Sequence, residues 1–339
     1  MKKIKAVAIC FILVFLFSLF ACKSENAHRN RNHSHAKHTE SGSFPIRFSP
    51  KWHPQAQFAG IYMAIEKGIY AQHGLDVQLM STISSDDALD RLAQNELDIA
   101  HFDLSFAIQA NQDSTRIVNV GQISQKNSVM LVAKKNRGYS SISNFQDKRL
   151  GIWHRTSHIV TEAFLRQNDL NMQQIPIDWS VNVFIHDAVD VINVMRYNEY
   201  HQLLLAGFSE DQLFVVDLCD WGLDVPDEGF YVSPQFYKDH PQECQAFLEA
   251  TLDGWLYAFS HPKEAIDLVL DIMQEANIRA NRAHQSWMLE QMKSVVMPSA
   301  AEMGILKQAD YEKALELSNQ YMGFNRNMTY EEFYPNGTQ

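Results

Sequence analysis

The chain has 339 residues, which is long enough for two domains and too long for one small one. Hydrophobic residues make up 46% of it and charged residues 20%, and this balance excludes a chain that is disordered throughout. The formal net charge of −11 leaves no basic footprint for nucleic acid, so we expect no nucleic-acid partner.

The first residues are typical of an export signal. Three lysines precede an apolar run from Ala6 to Phe20, which is shorter than the ~20 residues that a membrane-spanning helix needs. The letters LFAC at 19–22 resemble a bacterial lipoprotein cleavage box, so we predict a signal peptide at 1–21 and a lipid anchor on Cys22. The anchor would hold the protein outside the cytoplasm on a bacterial membrane, in the periplasm if the host has an outer membrane. The alternative is a plain secretory signal, in which Cys22 has no role.

A polar, histidine-rich segment follows the signal and predicts a flexible tether over 22–43. Histidine tracts bind zinc in some proteins, but nothing fixes a coordination geometry here, so we expect no metal site. The histidines of the tether are His28, His33, His35 and His38. The remaining cysteines of the mature chain, Cys219 and Cys244, form no CxxC pair, which leaves one disulfide or two free thiols as alternatives.

Folded sequence starts near Phe44, and strands then alternate with helices. An apolar stripe at helical spacing predicts a helix that starts near Gln57 and stops near Gly68. This alternation favours an α/β sheet covered by helices. Further strands are predicted at 76–79, 97–100, 117–120 and 129–133, and further helices at 86–95 and 104–110.

A second unit with the same rhythm starts after Gly138. From Pro241 onwards the pattern is helical, and in NRAHQSWML at 281–289 a helix cap and a packed aromatic side chain account for the residues. The sequence therefore predicts two α/β units and a helical C-terminal region. The strands are predicted at 149–153, 179–185, 192–195 and 213–216, and the helices at 159–167, 199–205, 243–260, 262–275, 283–296 and 308–321.

The stretch FSPKWHPQAQFAGIYMAIEKGIYAQHGLDVQLM, at 48–80, resembles the opening of the thiamine-pyrimidine-precursor-binding proteins. These are solute-binding proteins of ABC importers, related to sulfonate-, taurine- and nitrate-binding proteins and to fungal pyrimidine synthases. Four more blocks agree in order: LAQNELDIAHFDLSFAI, SISNFQDKRLGIW, VMRYNEYHQLL and DEGFYVS. The resemblance extends over about 44–287.

That resemblance implies the type II periplasmic-binding-protein fold, in which two α/β lobes are joined by two crossover segments and enclose a ligand cleft. Lobe one is then expected over 44–134 plus 232–339, with the helical C-terminal region packed mainly on it, and lobe two over 135–231. We expect a monomer that carries no cofactor.

Aromatic and polar residues crowd the loop between the first strand and the first helix. In open α/β sheets, ligands bind beyond the carboxyl ends of the strands, and helix N-termini offer free amide donors. Trp52 offers a flat face for a ring, and His53, Gln55 and Gln57 offer donors and acceptors. We predict that these four contact the ligand. The alternative is that Trp52 covers the core and Gln55 lies in a solvated loop.

Two further strand ends carry candidates that also have a structural interpretation. His101 and Asp103 follow the strand at 97–100, where Asp103 is also suited to cap the next helix. Trp153 follows Gly151 and Ile152, where it either faces Trp52 across the cleft or packs in the core. We include all three as candidate ligand contacts.

Asn198, Glu199 and Tyr200 follow the strand that ends at Met195. A carboxylate there can accept two hydrogen bonds from an aminopyrimidine, one from a protonated ring nitrogen and one from the exocyclic amine. The alternative for Glu199 is a favourable acid in the first turn of a helix. Glu228 lies where the resemblance places the second crossover, and we expect it to contribute from the hinge.

These residues predict a non-enzymatic protein that captures a small nitrogen heterocycle, closes its lobes and delivers the ligand to an ABC permease. Asp103, Glu199 and Asp220 outweigh the nearby cations Arg155 and Arg196, which favours a neutral or cationic ring. The main alternative is a sulfonate, taurine or nitrate-type anion. A pyrimidine-synthase-like enzyme is the alternative of another class, but the cysteine-rich segment of that family is missing from the sequence. A sensor that reports to a separate membrane partner is a third.

Overall fold

The computed structural model describes residues 42–112, 116–153, 159–178, 180–325 and 328–338. The predicted signal peptide, Cys22 and the four histidines of the tether lie outside the described residues, as do His154, Arg155 and Trp179.

The described strands form two five-stranded mixed sheets. The first sheet has the order β2-β1-β3-β10-β4, with β1 at Phe44–Ser49, β2 at Leu75–Leu79, β3 at Ile99–Asp103, β4 at Val118–Gln122 and β10 at Glu228–Val232. The second sheet has the order β7-β6-β8-β5-β9, with β5 at Val129–Lys134, β6 at Arg149–Trp153, β7 at Gln173–Ile177, β8 at Val191–Met195 and β9 at Leu213–Asp217.

The two sheets share one topology. In the first, β1 runs parallel to β2 and β3, and β10 is inserted antiparallel between β3 and β4. In the second, β6 runs parallel to β7 and β8, and β5 is inserted antiparallel between β8 and β9. Each inserted strand therefore directly follows, along the chain, an edge strand of the other sheet: β5 follows β4, and β10 follows β9. We call each sheet with the helices packed on it a lobe.

Two crossovers, 123–128 and 218–227, join the lobes. They lie side by side, because the Asn127 amide nitrogen donates to Asp224 Oδ1 at 2.8 Å and Asn127 Nδ2 donates to the Val225 carbonyl at 3.3 Å. The pairing of two short segments gives the molecule a narrow hinge.

Sheet membership differs from the predicted lobe boundaries at two strands. The range 44–134 for lobe one included β5, which pairs in the second sheet, and the range 135–231 for lobe two included most of β10, which pairs in the first. An inserted strand is as apolar as its new neighbours, so composition does not mark where the chain crosses. We therefore propose the lobes as 44–122 plus 228–338 and 129–217.

The helices pack against the strands and make up the predicted C-terminal region. They are α1 at Ala59–Glu66, α2 at Ile69–Gln72, α3 at Ser85–Ala93, α4 at Leu104–Ala110, α5 at Ile159–Gln167, α6 at Asn182–Ile185, α7 at Glu199–Leu205, α8 at Pro234–Asp239, α9 at Pro241–Ser260, α10 at Pro262–Glu275, α11 at Arg282–Val296, α12 at Gln308–Met322 and α13 at Tyr330–Phe333. The C-terminal helices α9, α10 and α11 pack on α1 or on the turn of 3-10 helix at 56–58, which places them on the first lobe.

Close packing of α1 against α9 depends on two glycines. A Cβ on Gly254 would lie 2.2 Å from the Gly60 carbonyl oxygen, and a Cβ on Gly60 would lie 2.3 Å from the Trp255 ring. Trp255 is almost fully buried in this contact. The absent side chains let the two backbones approach, and this fixes α1, whose N-terminal end borders the ligand loop.

Most predicted elements are confirmed, including the strand Arg149–Trp153 and the helix Glu199–Leu205. The strand predicted at 179–185 is wrong, because β7 lies at Gln173–Ile177 and residues 182–185 are helical. The strand Gln173–Ile177 was missed, since two glutamines and a proline interrupt its apolar pattern. Cys219 and Cys244 are both free thiols.

Candidate ligand-binding cleft

A cleft lies between the lobes, at the carboxyl ends of strands from both sheets. Lys51 and Trp52 follow β1, Asp103 ends β3, Trp153 ends β6 and Met195 ends β8. The cavity measures about 120 Å³, and a dry cavity of about 150 Å³ holds benzene, so the present opening fits a single ring. The other described lining residues are Gln55, Gln57, Ser105, Asn127, Val129, Ile159, Val160, Thr161, Ile177, Asp178, Asn193, Tyr197, Asn198, Glu199, Val225, Pro226 and Asp227.

Two tryptophans line the cavity, one from each lobe. Trp52 is 41% exposed, while Trp153 is partly buried and also packs against the apolar core of its lobe. Trp153 is therefore a core residue that also lines the cavity, and its position opposite Trp52 stays a prediction. Aromatic faces from opposite lobes suit a planar ligand.

Lys51 lies among buried acids at the floor of the cleft. Its Nζ is 2.9 Å from Glu228 Oε1 and also contacts Asp103 Oδ1, and the side chains of Lys51 and Glu228 are 12% and 1% exposed. Burial acts to lower the pKa of Lys51, but the charges of Asp103, Asp227 and Glu228 raise it well above its ordinary value. The ammonium group stays charged and neutralises its neighbours.

Asp103 and Asp227 share a hydrogen bond, and their pKa values are shifted in opposite directions. Burial raises the pKa of Asp227 well above its ordinary value, and the charges of Asp103 and Glu228 add to this. Burial also acts to raise the pKa of Asp103, but the charge of Lys51 and hydrogen bonds from Asp227 and Lys51 bring it below its ordinary value. Asp227 therefore keeps a proton and donates it to the Asp103 carboxylate.

This acid cluster has the residue types of a metal site but already holds a cation. Asp103, Asp227 and Glu228 bring carboxylate oxygens within 4.8 Å of one another, and they are the only such group in the described part of the chain. The Lys51 ammonium contacts two of the three. A divalent ion would have to displace it, so the residues fit a lysine-neutralised cluster better than a metal centre.

Asp103 does not act as the helix cap that sequence reasoning allowed. It holds the N-cap position of α4, but its side chain makes no capping hydrogen bond. The carboxylate instead contacts Lys51 at the cleft floor. Of its two interpretations, the one that faces the cleft is the one the geometry supports.

The loop before α1 reaches across the cleft through two glutamines. Gln55 Nε2 donates to Gln57 Oε1, and Gln57 Nε2 donates to Glu228 Oε1 and, at 3.1 Å, to the Tyr197 hydroxyl of the second lobe. The loop is also held from behind, because the Ala56 amide nitrogen donates to a glutamine side chain of α11 at 2.7 Å. Gln55 and Gln57 are both buried, so the solvated-loop alternative does not describe Gln55.

Glu199 is a buried carboxyl in the wall of the second lobe. It is 6% exposed and opens α7, so the first-turn and cleft interpretations both apply. Its Oε2 accepts from the Met195 amide nitrogen at 2.9 Å, and its Oε1 accepts from Asn198 Nδ2 at 2.9 Å. Burial raises the pKa of Glu199 to about 7, although the backbone hydrogen bonds act in the other direction.

Four predicted contact residues do not line the cavity. His101 lies inside β3, which extends to Asp103, and it packs between Phe58 and Phe230 with ring centroids 5.6 and 5.1 Å away. Burial lowers its pKa to about 4, so it is neutral. The other three also lie off the cavity wall: His53 is exposed and meets the Trp52 ring edge-on, Tyr200 packs on the core of the second lobe, and Glu228 sits behind Lys51.

Sequence reasoning missed several residues of the wall. Lys51 directly precedes Trp52 and Tyr197 directly precedes Asn198. The strand-end rule therefore identified the right loops but not these two side chains. Asn193 gave a clearer signal, since it is a lone amide in the apolar strand VINVM, where it donates to Thr161 Oγ1 at 3.0 Å. Asp227 also lines the cavity, directly before Glu228, the residue that was predicted to contribute from the hinge.

Comparison with known proteins decides the family. Residues 55–265 match the family described as NMT1/THI5 like. The chain belongs to this family. It is 25% identical over 235 residues to the riboflavin-binding protein RibY of Chloroflexus aurantiacus, covering 66% of this chain and 65% of that protein. It is 23% identical over 289 residues to a formylaminopyrimidine-binding protein of Halalkalibacterium halodurans, covering 82% of this chain and 81% of that one.

The fold of this NMT1/THI5-like protein matches a solved periplasmic binding protein. The aliphatic sulphonate binding protein SsuA of Escherichia coli superposes with a TM-score of 0.68 at 14% identity, over 86% of this chain and 91% of that one. The predicted periplasmic-binding-protein fold, with two α/β lobes and a helical C-terminal region, is confirmed. In the described part of the chain, no helix has the length and apolar character to span a bilayer.

Proposed function

We propose that this protein is the extracytoplasmic solute-binding component of an ABC importer and that it captures a small nitrogen heterocycle of the aminopyrimidine type. The lobes close on the ligand and present it to a membrane permease. Anchoring through Cys22 is part of this proposal and rests on the resemblance of LFAC at 19–22 to a lipoprotein cleavage box. The two curated relatives support a heterocyclic ligand, since they are named for riboflavin and formylaminopyrimidine.

Glu199 is the observation that carries this proposal. Each carboxylate oxygen has two lone pairs, and the protein uses one on each, from Met195 and Asn198. The remaining pairs can accept a ring N–H and an exocyclic N–H side by side. Because the pKa of Glu199 is about 7, one proton can sit on either the carboxyl or the ring nitrogen.

The charges of the cleft support a neutral or cationic ligand over an anion. Lys51 is the only lysine or arginine among the described residues that line the cavity, and it already contacts Asp103 and Glu228. A sulfonate or nitrate site favours cations that are free to bind the anion, and the one described cation of this wall is already paired with two acids. The likeness to SsuA bears on the fold and leaves the ligand open.

A binding role has more support than an enzymatic one. Of the described histidines that were candidate contacts, His53 does not line the cavity and His101 packs between two phenylalanines, so neither supports a synthase that uses a histidine at its ligand. Both curated relatives described above are named as binding proteins. We therefore assign capture and delivery, with no chemical step.

A thermal-shift screen of the purified protein tests the proposal. The compounds are 4-aminopyrimidine, formylaminopyrimidine, riboflavin, methanesulfonate and nitrate. We expect an aminopyrimidine to raise the melting temperature of the wild type and to do so less for Glu199→Gln, which sets an NH₂ against protein N–H donors. Glu210→Gln, an exposed acid of the same lobe, is the matched control. Stabilisation by an anion alone would contradict the proposal.

A further inference from the structure

A cluster of rings bridges the two lobes next to Glu199, the carboxyl that is proposed to bind the ligand. His201 of α7 stacks on Trp287 of α11 with centroids 4.7 Å apart and planes 4° apart. His201 Nδ1 also lies 3.0 Å from His284 Nδ1. Trp287 Nε1 donates to the Arg196 carbonyl at 3.2 Å. We call Asn198, His201, His284 and Trp287 the cross-lobe clamp.

The clamp reaches Glu199 through one amide. Asn198 Oδ1 accepts from His284 Nε2 at 3.0 Å and from Gln202 Nε2 at 3.0 Å. With its oxygen held by two donors, Asn198 turns its NH₂ group towards Glu199 Oε1, 2.9 Å away. A flipped amide would set Nδ2 against both donors and the oxygen against the carboxyl.

Hydrogen-bond chemistry fixes the tautomers of the two histidines. Asn198 Oδ1 can only accept, so His284 carries its proton on Nε2 and its Nδ1 accepts from His201 Nδ1–H. Both rings are then neutral. Burial is the main cause that lowers the pKa of His284 to about 4, and the charge of the neighbouring His201 adds to it. Burial also lowers the pKa of His201.

The clamp joins parts of the molecule that move apart when a two-lobed binding protein opens. Helix α11 packs on the turn at 56–58 of the first lobe, and its Gln285 Oε1 accepts from the Ala56 amide nitrogen. Asn198 and His201 belong to the second lobe. Opening of the cleft would separate His284 from Asn198 and release the amide beside Glu199.

We propose, on the basis of the ligand role of Glu199 given above, that His284 and Trp287 are positioning residues which hold the lobes closed and orient Asn198 towards Glu199. The helix cap and packed aromatic predicted from NRAHQSWML describe only part of their role. Asn281 does cap α11, since its Oδ1 accepts from the His284 amide nitrogen at 3.1 Å. The side chains of His284 and Trp287 contact the other lobe.

The first test needs no ligand. Small-angle scattering of the ligand-free protein is expected to give a larger radius of gyration for His284→Leu and for Trp287→Leu than for the wild type. His261→Leu is the matched control, because His261 stacks on Tyr257 at 4.1 Å within the first lobe. Far-UV circular dichroism identifies any variant that fails to fold. If either His284→Leu or Trp287→Leu is unfolded, the scattering of the other one tests the clamp.

The second test measures the affinity for 4-aminopyrimidine by calorimetry between pH 6 and pH 9. We expect His284→Leu to lose about tenfold in affinity, the effect of one charge-assisted hydrogen bond. The pH midpoint of binding should also rise, because the carboxylate loses a fixed N–H donor. Loosened packing alone would leave that midpoint in place.

The outcomes separate the clamp from the proposed function. Folded variants with wild-type scattering, affinity and midpoint would overturn the clamp. If 4-aminopyrimidine fails to bind even the wild type, the aminopyrimidine assignment fails, and scattering alone then decides whether the clamp holds the lobes. Expansion of the variants supports it, and unchanged scattering overturns it.

Discussion

The ammonium of Lys51 lies 2.9 Å from the carboxylate of Glu228, and both side chains are shielded from solvent. The pair joins the loop after β1 to the start of β10, where the chain returns to the first lobe. A buried ion pair of this kind is costly to break, because removal of one partner leaves the other charge in a medium of low polarity. Lys51 is therefore expected to hold the hinge end of the cleft together.

Replacement of Lys51 tests this role. Lys51→Met should lower the free energy of unfolding by roughly 3–5 kcal/mol at pH 7.5, since two buried carboxylates lose their counter-ion. Lys263→Met is the control, because Lys263 pairs with Asp267 on the exposed surface, where a pair contributes about 0–1 kcal/mol. Urea unfolding measures both. Equal small losses for the two variants would show that Lys51 does not neutralise the cluster.

The buried carboxyl of Glu199 should make the ligand-free protein less stable at high pH. Its pKa is about 7 in the folded chain and 4.5 as the ordinary value, so the unfolded chain releases its proton first. Stability is therefore unaffected below pH 4.5, falls as the pH rises from 4.5 to 7, and then stays low, by roughly 3 kcal/mol at most.

Glu199→Gln removes this titration. We expect the variant to unfold at a higher temperature than the wild type at pH 8, and expect that advantage to disappear near pH 4.5. The lost hydrogen bonds offset part of the gain at every pH. A variant that is equally destabilised at both pH values would show that Glu199 pays no charge penalty in the fold.

Affinity for an aminopyrimidine should also depend on pH. Below about pH 7, Glu199 is protonated in the ligand-free protein and supplies the one proton that the carboxyl and the ring nitrogen share in the complex. Above that value the complex must take up a proton, so affinity should fall by up to about tenfold per pH unit. Calorimetry between pH 6.5 and pH 8.5 measures this. A flat profile over the range would exclude a shared proton.

The two tryptophans of equal exposure provide a matched pair for the stacking role. Trp52 and Trp221 are both 41% exposed, but Trp52 lines the cavity and Trp221 packs edge-on against Phe164. Trp52→Ala should weaken aminopyrimidine binding about tenfold, since stacking on a base contributes ~1–3 kcal/mol. Trp221→Ala should leave affinity within about twofold. Similar losses for both would indicate a general loosening of the protein.

Local patterns were sufficient to predict most of the fold. Strands such as Val129–Lys134 are continuous apolar runs, and their pattern survives whichever sheet they join. The sheet they join depends on contacts far along the chain, which explains why the predicted lobe ranges and the sheets differ at β5 and β10. Gln173–Ile177 was missed because two glutamines and a proline interrupt its apolar pattern.

The site was predicted in outline and not in detail. The strand-end rule led to Trp52, Asp103, Trp153 and Glu199, and all four line the cavity. The rule failed for His101 because β3 continues to Asp103, three residues beyond the predicted end of the strand. His101 is therefore a residue within the strand, and its ring lies in the core. The cross-lobe clamp was beyond sequence reasoning, since His201 and His284 are 83 residues apart and meet only through the packing of α11.

A crystal structure of the protein with the best-binding aminopyrimidine would test the central claim most directly. It should hold the ring between Trp52 and Trp153, with the ring nitrogen and the exocyclic amine on the two oxygens of Glu199. A ligand bound elsewhere, or one whose polar edge faces Lys51 and leaves Glu199 without a contact, would contradict the account.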